Sequence, residues 1–479
     1  WLDVARYADS TGFEMDYRRE NAWRYRDYVI DAFNRDKPYS QFLREQIAGD
    51  EIWPDNLDGD PKKVFSVPDD KKRHFEARVA TGLYTFGPEI LESSMDGRRQ
   101  QYERLTDWVD TTSSAFLGLP VGCARCHDHK FDPITQRDYY RIQSFFSPLL
   151  QRASMPVGTL EQRAAYHEKQ TAWEEATEAI RARLHAIEQP ALLQKTTGEG
   201  FDKFIDRIKT MIRKRPQDRT AYERQIAELS ERQFGVEPAK LEQRLNGETK
   251  AEWKKLREEL KRFDPLKPRP LAQVKFVASD AGPVAPVTFI PKTGITVEPG
   301  FLSVLGETLA EIMPPSVSLQ STGRRTALAN WITKPDHPLT ARVLVNRLWK
   351  QHFGRALAAN TSDFGRLGER PTHPQLLDWL AAEFMQPTVD DNPAWTIKRL
   401  HKLIMISETY QQASAHANEA EYAEIDFTNR NWWKFPRRRL DSESLRDAML
   451  QVSGQLNLKM GGPSFYPRMT REALDGLSR

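Results

Sequence analysis

The sequence has few cysteines, no long apolar segment and no excess of charge of either sign. Its two cysteines among 479 residues are too few for a secreted disulfide scaffold. No run of about eighteen apolar residues occurs, so the sequence predicts no membrane span within this chain. The 70 basic and 67 acidic residues leave a net charge of +3, which gives no support to nucleic acid as the main partner. A chain of this length predicts two or three domains.

The two cysteines lie three residues apart, in the segment Cys123-Ala124-Arg125-Cys126-His127. This spacing is the attachment pattern of a covalent c-type haem. Two thiols at this distance reach the two vinyl groups on one edge of the porphyrin, and the imidazole that follows becomes an iron ligand. We therefore predict one covalent haem c, attached to Cys123 and Cys126, with His127 as the axial ligand of the iron.

Three other interpretations of the cysteine pair stay open. A thioredoxin-like redox pair requires a preceding strand in a βαβ unit, whereas residues 101–116 have the apolar spacing of a helix. A zinc site requires two further ligands, and His127 and His129 would crowd all four into seven residues. A structural pair of buried thiols would leave His127 without a role. Haem attachment accounts for both cysteines and for His127, so we prefer it.

The motif does not determine the role of His129 or the identity of the sixth iron ligand. If a helix continued through Asp128, His129 would point about 200° away from His127, because each residue turns about 100°. We therefore expect His129 to support the haem site indirectly, through a hydrogen bond to a haem propionate or to Asp132. The candidates for the sixth ligand are Met95, Met155, His74, His352 and His401.

Apolar periodicity and composition divide the chain into four parts and predict a mainly α fold. Residues 1–155 predict a helical, haem-bearing domain whose helices pack around the haem. Residues 156–265 predict a long, coiled-coil-like helical arm, and the proline-rich residues 266–318 predict a small β-containing linker. Residues 319–479 predict a C-terminal helical domain, which we expect to be truncated in this sequence, just as we expect further sequence before residue 1.

Local signals locate individual elements within these parts. Thr340 predicts the N-cap of a helix whose C-terminal end is at Gly354, and Asp441 precedes another helix. Residues 372–375 fit a capping box. The linker contains three β-prone runs, at 274–277, 287–290 and 295–297.

Several segments resemble a pair of known domains. The planctomycete cytochrome-like domain of unknown function called PSCyt2, or DUF1549, is similar to the segments Trp1–Ser10, Asn21–Val29 and Cys123–Ile134. Its companion, PSD1 or DUF1553, is similar to the segments Asn346–Trp349, Phe353–Arg355, Pro371–Leu380 and Arg439–Asp441. The resemblance covers both ends of the chain and little of the central arm.

The resemblance implies a large exported protein, with a further cytochrome-like domain before Trp1. It also implies haem attachment at Cys123 and Cys126 and axial ligation by His127, which is the assignment that the motif itself suggests. It implies no catalytic residues. We therefore expect a periplasmic or cell-surface location.

The leading hypothesis is an exported c-type cytochrome module that transfers electrons or serves as the redox subunit of a larger, haem-dependent oxidoreductase. Its expected partner is a redox protein or the upstream cytochrome domain. Two alternatives stay open: a cell-surface scaffold with a structural haem or metal, which binds partners or oligomerises through the arm, and a polysaccharide-degrading enzyme with its site in the C-terminal domain. A reversible redox couple favours the first hypothesis, and an inert or absent haem favours the second.

The motif predicts that a haem stays attached to the denatured chain. Changing Cys123 or Cys126 to Ala should abolish or cripple covalent attachment, because one thioether link is lost. Haem staining and intact-mass measurement of the denatured protein test this. Denatured wild-type protein without a haem-linked mass would contradict the assignment.

Overall fold

The computed structural model describes residues 1–12, 16, 18–52, 69–87, 97–157, 160–193, 201–231, 238–306, 309–315, 321–464 and 470–472. Within these residues the chain is mainly helical, as the sequence predicts, and it has two small antiparallel sheets. No helix in this part of the chain has the length and apolar character to span a membrane.

The N-terminal part forms five helices. They are α1 (Trp23–Asn34), α2 (Tyr39–Ile52), α3 (Asp69–Ala80), α4 (Gly97–Thr112) and α5 (Gln136–Phe146). Trp108, Phe116 and Tyr139 are among the fully buried rings in the interior. The helices pack around these aromatic side chains, and the two thiols of the cysteine motif are exposed. Packing of the helices around a haem stays a prediction. A π-helical turn, Ser113–Leu117, extends α4 before the chain reaches that segment.

The central part forms several shorter helices where the sequence predicted one long coiled-coil-like arm. They are α6 (Leu160–Ala176), α7 (Glu178–Leu193), α8 (Asp206–Arg213), α9 (Ala221–Glu231) and α10 (Gly247–Lys261). One apolar cluster joins α8 to α9, and a second joins α7 to α10. Gln225 on α9 donates hydrogen bonds to the carbonyl oxygens of Ser147 (2.9 Å) and Leu149 (2.8 Å). This part is therefore attached to the N-terminal domain along α9.

Four strands form two antiparallel pairs. They are β1 (Leu149–Val157), β2 (Ala272–Asp280), β3 (Thr288–Phe289) and β4 (Thr296–Val297). β1 pairs with β2, so that the first residue of β1 lies opposite the last residue of β2, and β3 pairs with β4. The three strands predicted in the linker are confirmed. β1 was not predicted, and its partner lies more than a hundred residues away in the sequence.

The C-terminal part is helical. Its helices are α11 (Arg324–Ile332), α12 (Thr340–Phe353), α13 (Pro374–Met385), α14 (Ile397–Met405), α15 (Glu408–Gln411), α16 (Glu419–Asp426) and α17 (Ser442–Val452). The predicted ends of two helices are confirmed: Gly354 closes α12 in the left-handed conformation, and the Asp441 carboxylate accepts the N–H of Ser444 at the start of α17. Thr340 is the first residue of α12 and not its N-cap. The capping box is also absent, because His373 precedes α13 without a side-chain cap and Pro374 opens the helix.

One apolar core runs through the N-terminal and C-terminal parts. Tyr39 on α2 contacts Phe384 on α13, with ring centroids 6.3 Å apart. Phe301 in the linker stacks on Trp331 of α11 at 4.7 Å. These rings come from the N-terminal part, the linker and the C-terminal part. The apolar contacts therefore do not separate the two helical domains.

A buried ionic cluster also joins the two helical domains. Arg325 on α11 is fully buried and makes two parallel hydrogen bonds to Asp50 on α2, at 2.6 and 2.7 Å. It also donates to Oδ1 of Asp280 at the end of β2 (3.1 Å) and lies 3.3 Å from Oε1 of Glu51. One guanidinium thus faces three buried carboxyl groups. Removal of the carboxyl groups from water favours a proton on one of them, since a buried charge is costly.

Glu51 is a buried carboxyl group of this cluster with a raised pKa. Ser321 Oγ lies 2.7 Å from Glu51 Oε1 and 2.9 Å from Asp280 Oδ2. One hydroxyl hydrogen shared between two carboxylates binds each weakly, whereas a proton on Glu51 donated to Ser321 would leave the Ser321 hydrogen for Asp280. Burial, reinforced by Asp280 and Asp50 and opposed by Arg325, raises the pKa of Glu51 to about 7.

We predict that Glu51 makes stability depend on pH. The folded protein keeps the Glu51 proton up to about pH 7, whereas the unfolded chain releases it near the ordinary value of 4.5. The stability contribution is therefore complete below about pH 4.5 and is lost as the pH rises through 7, with a loss on the order of 3 kcal/mol. Glu51→Gln, which cannot ionise, should flatten this dependence between pH 5 and pH 8. Equal pH dependence of Tm in the wild type and the variant would contradict the assignment.

Candidate functional site

The two cysteines lie on and directly after a short 3-10 helix, Val121–Arg125. Cys123 and Cys126 are free thiols, and both are exposed. Val121 and Ala124 are buried. Residues three apart lie on the same side of a 3-10 helix, so the two thiols share an outward side while the two apolar residues face the core.

Buried and half-buried side chains hold this short helix on its inner side. The carbonyl oxygen of Arg125 accepts hydrogen bonds from the Gln136 amide (3.0 Å) and from the Tyr140 hydroxyl (3.1 Å). Gly122 lies against the Asp110 carboxylate, and a Cβ at this position would be 2.9 Å from both carboxylate oxygens. A side chain at this position would therefore displace the Asp110 carboxylate. Burial raises the pKa of Asp110 to about 6, and the positive charge of Arg125 opposes the shift.

His127 is exposed next to the second cysteine. Its Nδ1 lies 2.7 Å from the carbonyl oxygen of Asp128. A carbonyl oxygen can only accept, so Nδ1 carries a hydrogen and Nε2 is the ring nitrogen that can offer a lone pair to a metal ion. Nε2 has no hydrogen-bond partner among the residues that the structure describes. Ring orientation by an N–H···O=C bond, with the other nitrogen free, is the usual arrangement of a metal-binding imidazole.

His129 lies in a loop and not on a continuing helix, so the expected rotation of about 200° does not apply. Its side chain is only 5% exposed, and its Nδ1 accepts the N–H groups of Asp132 (2.9 Å) and Phe131 (3.3 Å). The Nδ1 lone pair is thus used to hold the loop that follows the motif. This agrees with the predicted contact to Asp132, and a contact to a haem propionate stays a prediction.

A loop of the C-terminal domain, residues 363–368, contacts the chain on both sides of the cysteine motif. The N–H of Phe364 donates to the carbonyl oxygen of Gly118 (2.7 Å), before the motif. The N–H of Arg366 donates to Oδ1 of Asp132 (2.6 Å), after the motif. Asp132 is buried, so this charge-assisted bond is well protected from water. The motif is therefore held by both domains.

The structure describes the side chains of two of the five candidates for the sixth iron ligand, His352 and His401. Nε2 of His352 and Nδ1 of His401 lie 2.7 Å apart, so these two histidines bind each other. Burial lowers the pKa of both rings. Met95 lies outside the described residues, as do the side chains of His74 and Met155. The sixth ligand stays a prediction.

The residues of the motif fit a covalent haem better than a zinc ion. Within the described ranges, no three His, Cys, Asp or Glu side chains come together in a way that could hold a metal ion. A structural zinc ion requires four protein ligands, whereas haem iron takes four of its ligands from the porphyrin. Two exposed thiols on one side of a 3-10 helix, followed by an imidazole with a free Nε2, supply what haem attachment needs from a protein.

Comparison with known families gives two matches. The model of PSCyt2, described as a protein of unknown function (DUF1549), matches residues 1–151, and that of PSD1, also described as a protein of unknown function (DUF1553), matches residues 324–476. The chain carries a PSCyt2 domain and a PSD1 domain. No similar protein was found among curated proteins, and none among solved structures. The cysteine motif belongs to the PSCyt2 domain, and the loop 363–368 belongs to the PSD1 domain.

The contact between the PSCyt2 motif and the PSD1 loop was missed by sequence reasoning. Asp132 and Arg366 are 234 residues apart. No local pattern connects them, since a carboxylate near a proline reads as an ordinary turn signal. The Gly365-Arg366-Leu367-Gly368 run was the one available signal, because closely spaced glycines mark a tight turn or a close backbone approach.

We predict that Asp132 contributes strongly to the attachment of the PSD1 loop. Asp132→Ala removes the buried carboxylate that accepts the Arg366 N–H, which should cost about 2 kcal/mol of unfolding free energy. The matched control is Asp378→Ala, which removes an exposed ion pair with Arg342 and should cost less than about 1 kcal/mol. Denaturation and hydrogen exchange at the Arg366 amide measure both effects. Equal losses, with unchanged exchange at Arg366, would contradict the prediction.

Proposed function

We propose that this protein is an exported c-type cytochrome module that carries one covalent haem and transfers electrons. The observation that supports it most directly is the state of His127. Its Nδ1 is fixed by the Asp128 carbonyl at 2.7 Å, and its Nε2 is free at the surface beside two free thiols. A histidine without a ligand-binding role requires neither the fixed Nδ1, nor the free Nε2, nor the two neighbouring thiols.

Each residue of the motif has a defined role in this proposal. Cys123 and Cys126 would form the two thioether links, and Nε2 of His127 would bind the iron. The bound haem would supply a one-electron redox centre. The carbonyl of Asp128 keeps the imidazole in one orientation, and the bonds to the Arg125 carbonyl keep the 3-10 helix in place.

The position of the motif favours electron transfer to another protein. Both thiols and His127 are exposed, and Phe131, which is 42% exposed, adds apolar surface after the motif. A cofactor attached at the surface leaves its edge accessible to a redox partner. The partner is a separate redox protein or a cytochrome domain of the same protein. Export follows from the chemistry, because c-type haem is attached outside the cytoplasm.

Spectroscopy on two histidine variants tests the proposal. A pyridine haemochrome assay and a reduced-minus-oxidised spectrum should give one haem c per wild-type chain. His127→Ala should give a poorly matured or high-spin haem with a shifted potential, because the axial ligand strongly affects that potential. His129→Ala should keep the low-spin spectrum and lose some stability, since His129 accepts two backbone N–H groups.

The two variants also separate the alternatives. Loss of the low-spin spectrum in His129→Ala, with His127→Ala intact, would reverse the ligand assignment. A wild-type haem that cannot be reduced and reoxidised would favour a scaffold with a structural haem. Wild-type protein from an export-competent host without any haem would overturn the proposal.

A further inference from the structure

The PSD1 loop 363–368 has a fixed shape that depends on its glycines. Oδ1 of Asp363 accepts the N–H of Gly365 (2.9 Å), and the N–H of Gly368 donates to the Gly365 carbonyl (3.0 Å). A Cβ on Gly368 would be 2.1 Å from the Asp363 carbonyl oxygen, and a Cβ on Gly365 would be 2.5 Å from Oδ2 of Asp132. Side chains at these two positions would therefore break the turn and its approach to the PSCyt2 domain.

The loop contacts the chain at equal sequence distances before and after the proposed haem-attachment motif. Gly118, which contacts Phe364, precedes Cys123 by five residues, and Asp132, which contacts Arg366, follows His127 by five residues. A Cβ on Gly118 would be 2.8 Å from the Phe364 ring. The PSD1 loop thus has one fixed position beside the motif.

The loop presents an unpaired cation and an apolar side chain beside the motif. Arg366 is exposed, and its guanidinium has no hydrogen-bond or ion-pair partner within the part of the chain that the structure describes. Leu367 is 63% exposed, and Phe131 of the PSCyt2 domain is 42% exposed. Arg366 uses only its backbone N–H to hold the loop, so its side chain is free for another role.

We propose that the PSD1 loop forms the second half of the haem site, with Arg366 as the cationic partner of a haem propionate and Leu367 as an apolar contact of the porphyrin. This inference rests on the proposed haem attachment. Haem carries two propionate carboxylates, and a guanidinium pairs with a carboxylate through two parallel hydrogen bonds. Apolar side chains cover the faces and edges of the macrocycle. The cofactor site is then shared between the PSCyt2 and PSD1 domains.

The proposal makes a prediction about the redox potential. A positive charge at a propionate favours the reduced haem, which carries one positive charge less than the oxidised form. Arg366→Gln should therefore lower the equilibrium constant for reduction by about tenfold, which is about 59 mV for a one-electron couple. Arg366→Lys should restore much of the potential because it keeps the charge.

The experiment uses the full chain with its haem attached. Arg446→Gln is the matched control, because Arg446 is an exposed arginine on α17 and its substitution removes the same charge. Redox titration followed by absorbance measures the potential, and resonance Raman bands of the propionates report their hydrogen bonding. Thermal unfolding checks that each variant is folded. We expect the potential and the propionate bands to change in Arg366→Gln and to stay as in the wild type in Arg446→Gln.

The outcomes separate this inference from the proposed function. If Arg366→Gln carries haem and has the same potential and propionate bands as Arg446→Gln, the role of the loop is overturned while the haem assignment stands. If the wild type carries no haem, the proposed function fails, and the inference fails with it. A lowered potential with altered propionate bands in Arg366→Gln alone supports the shared site.

Discussion

The structure depends on the pairing of Arg325 with the buried carboxyl groups of Asp50, Glu51 and Asp280. A guanidinium removed from water is stable only where acceptors meet its donors in the right geometry. Here those acceptors come from α2 and from the end of β2, while the arginine comes from α11. Displacement of α2 would remove Asp50 and Glu51 from the buried guanidinium. The PSCyt2 domain, the linker strand and the PSD1 domain are therefore held in one arrangement.

This fixed arrangement allows the PSD1 domain to donate hydrogen bonds to backbone carbonyl groups of the PSCyt2 domain. The π-helical turn after α4 leaves carbonyl groups without helical partners, as helix ends do. Arg347 of α12 donates to two of them, those of Ser114 and Ala115. A few residues further on, Gly118 accepts the N–H of Phe364. The segment that leads into the cysteine motif thus takes three of its hydrogen bonds from the other domain.

The motif combines an exposed reactive side with a rigid buried side. Val121 and Ala124 pack into the core, Tyr140 and Gln136 hold the Arg125 carbonyl, and His129 fixes the following loop. Such support restricts the positions of the two thiols and the His127 ring. A covalently attached cofactor at the surface needs this combination, because its reorganisation stays small while its edge stays accessible.

Local features of this protein could be predicted from the sequence alone. The spacing of Cys123, Cys126 and His127, the apolar periodicity of the helices, the left-handed Gly354 and the Asp441 cap involve residues within a few positions of one another. Their interactions are set by backbone geometry that neighbouring residues share. The β-prone runs of the linker were found for the same reason. The PSCyt2 and PSD1 resemblance also rests on such local motifs.

Tertiary structure decided the features that depend on distant partners. β1 contains charged, polar and proline residues and is a strand because β2 supplies its hydrogen bonds. His129 accepts the N–H groups of a turn, whereas the local pattern suggested a helix. The pairing of Arg325 with Asp50 and the contact between Asp132 and Arg366 join residues more than two hundred positions apart. Such pairs depend on which surfaces the folded domains bring together, and no periodicity along the chain records that information.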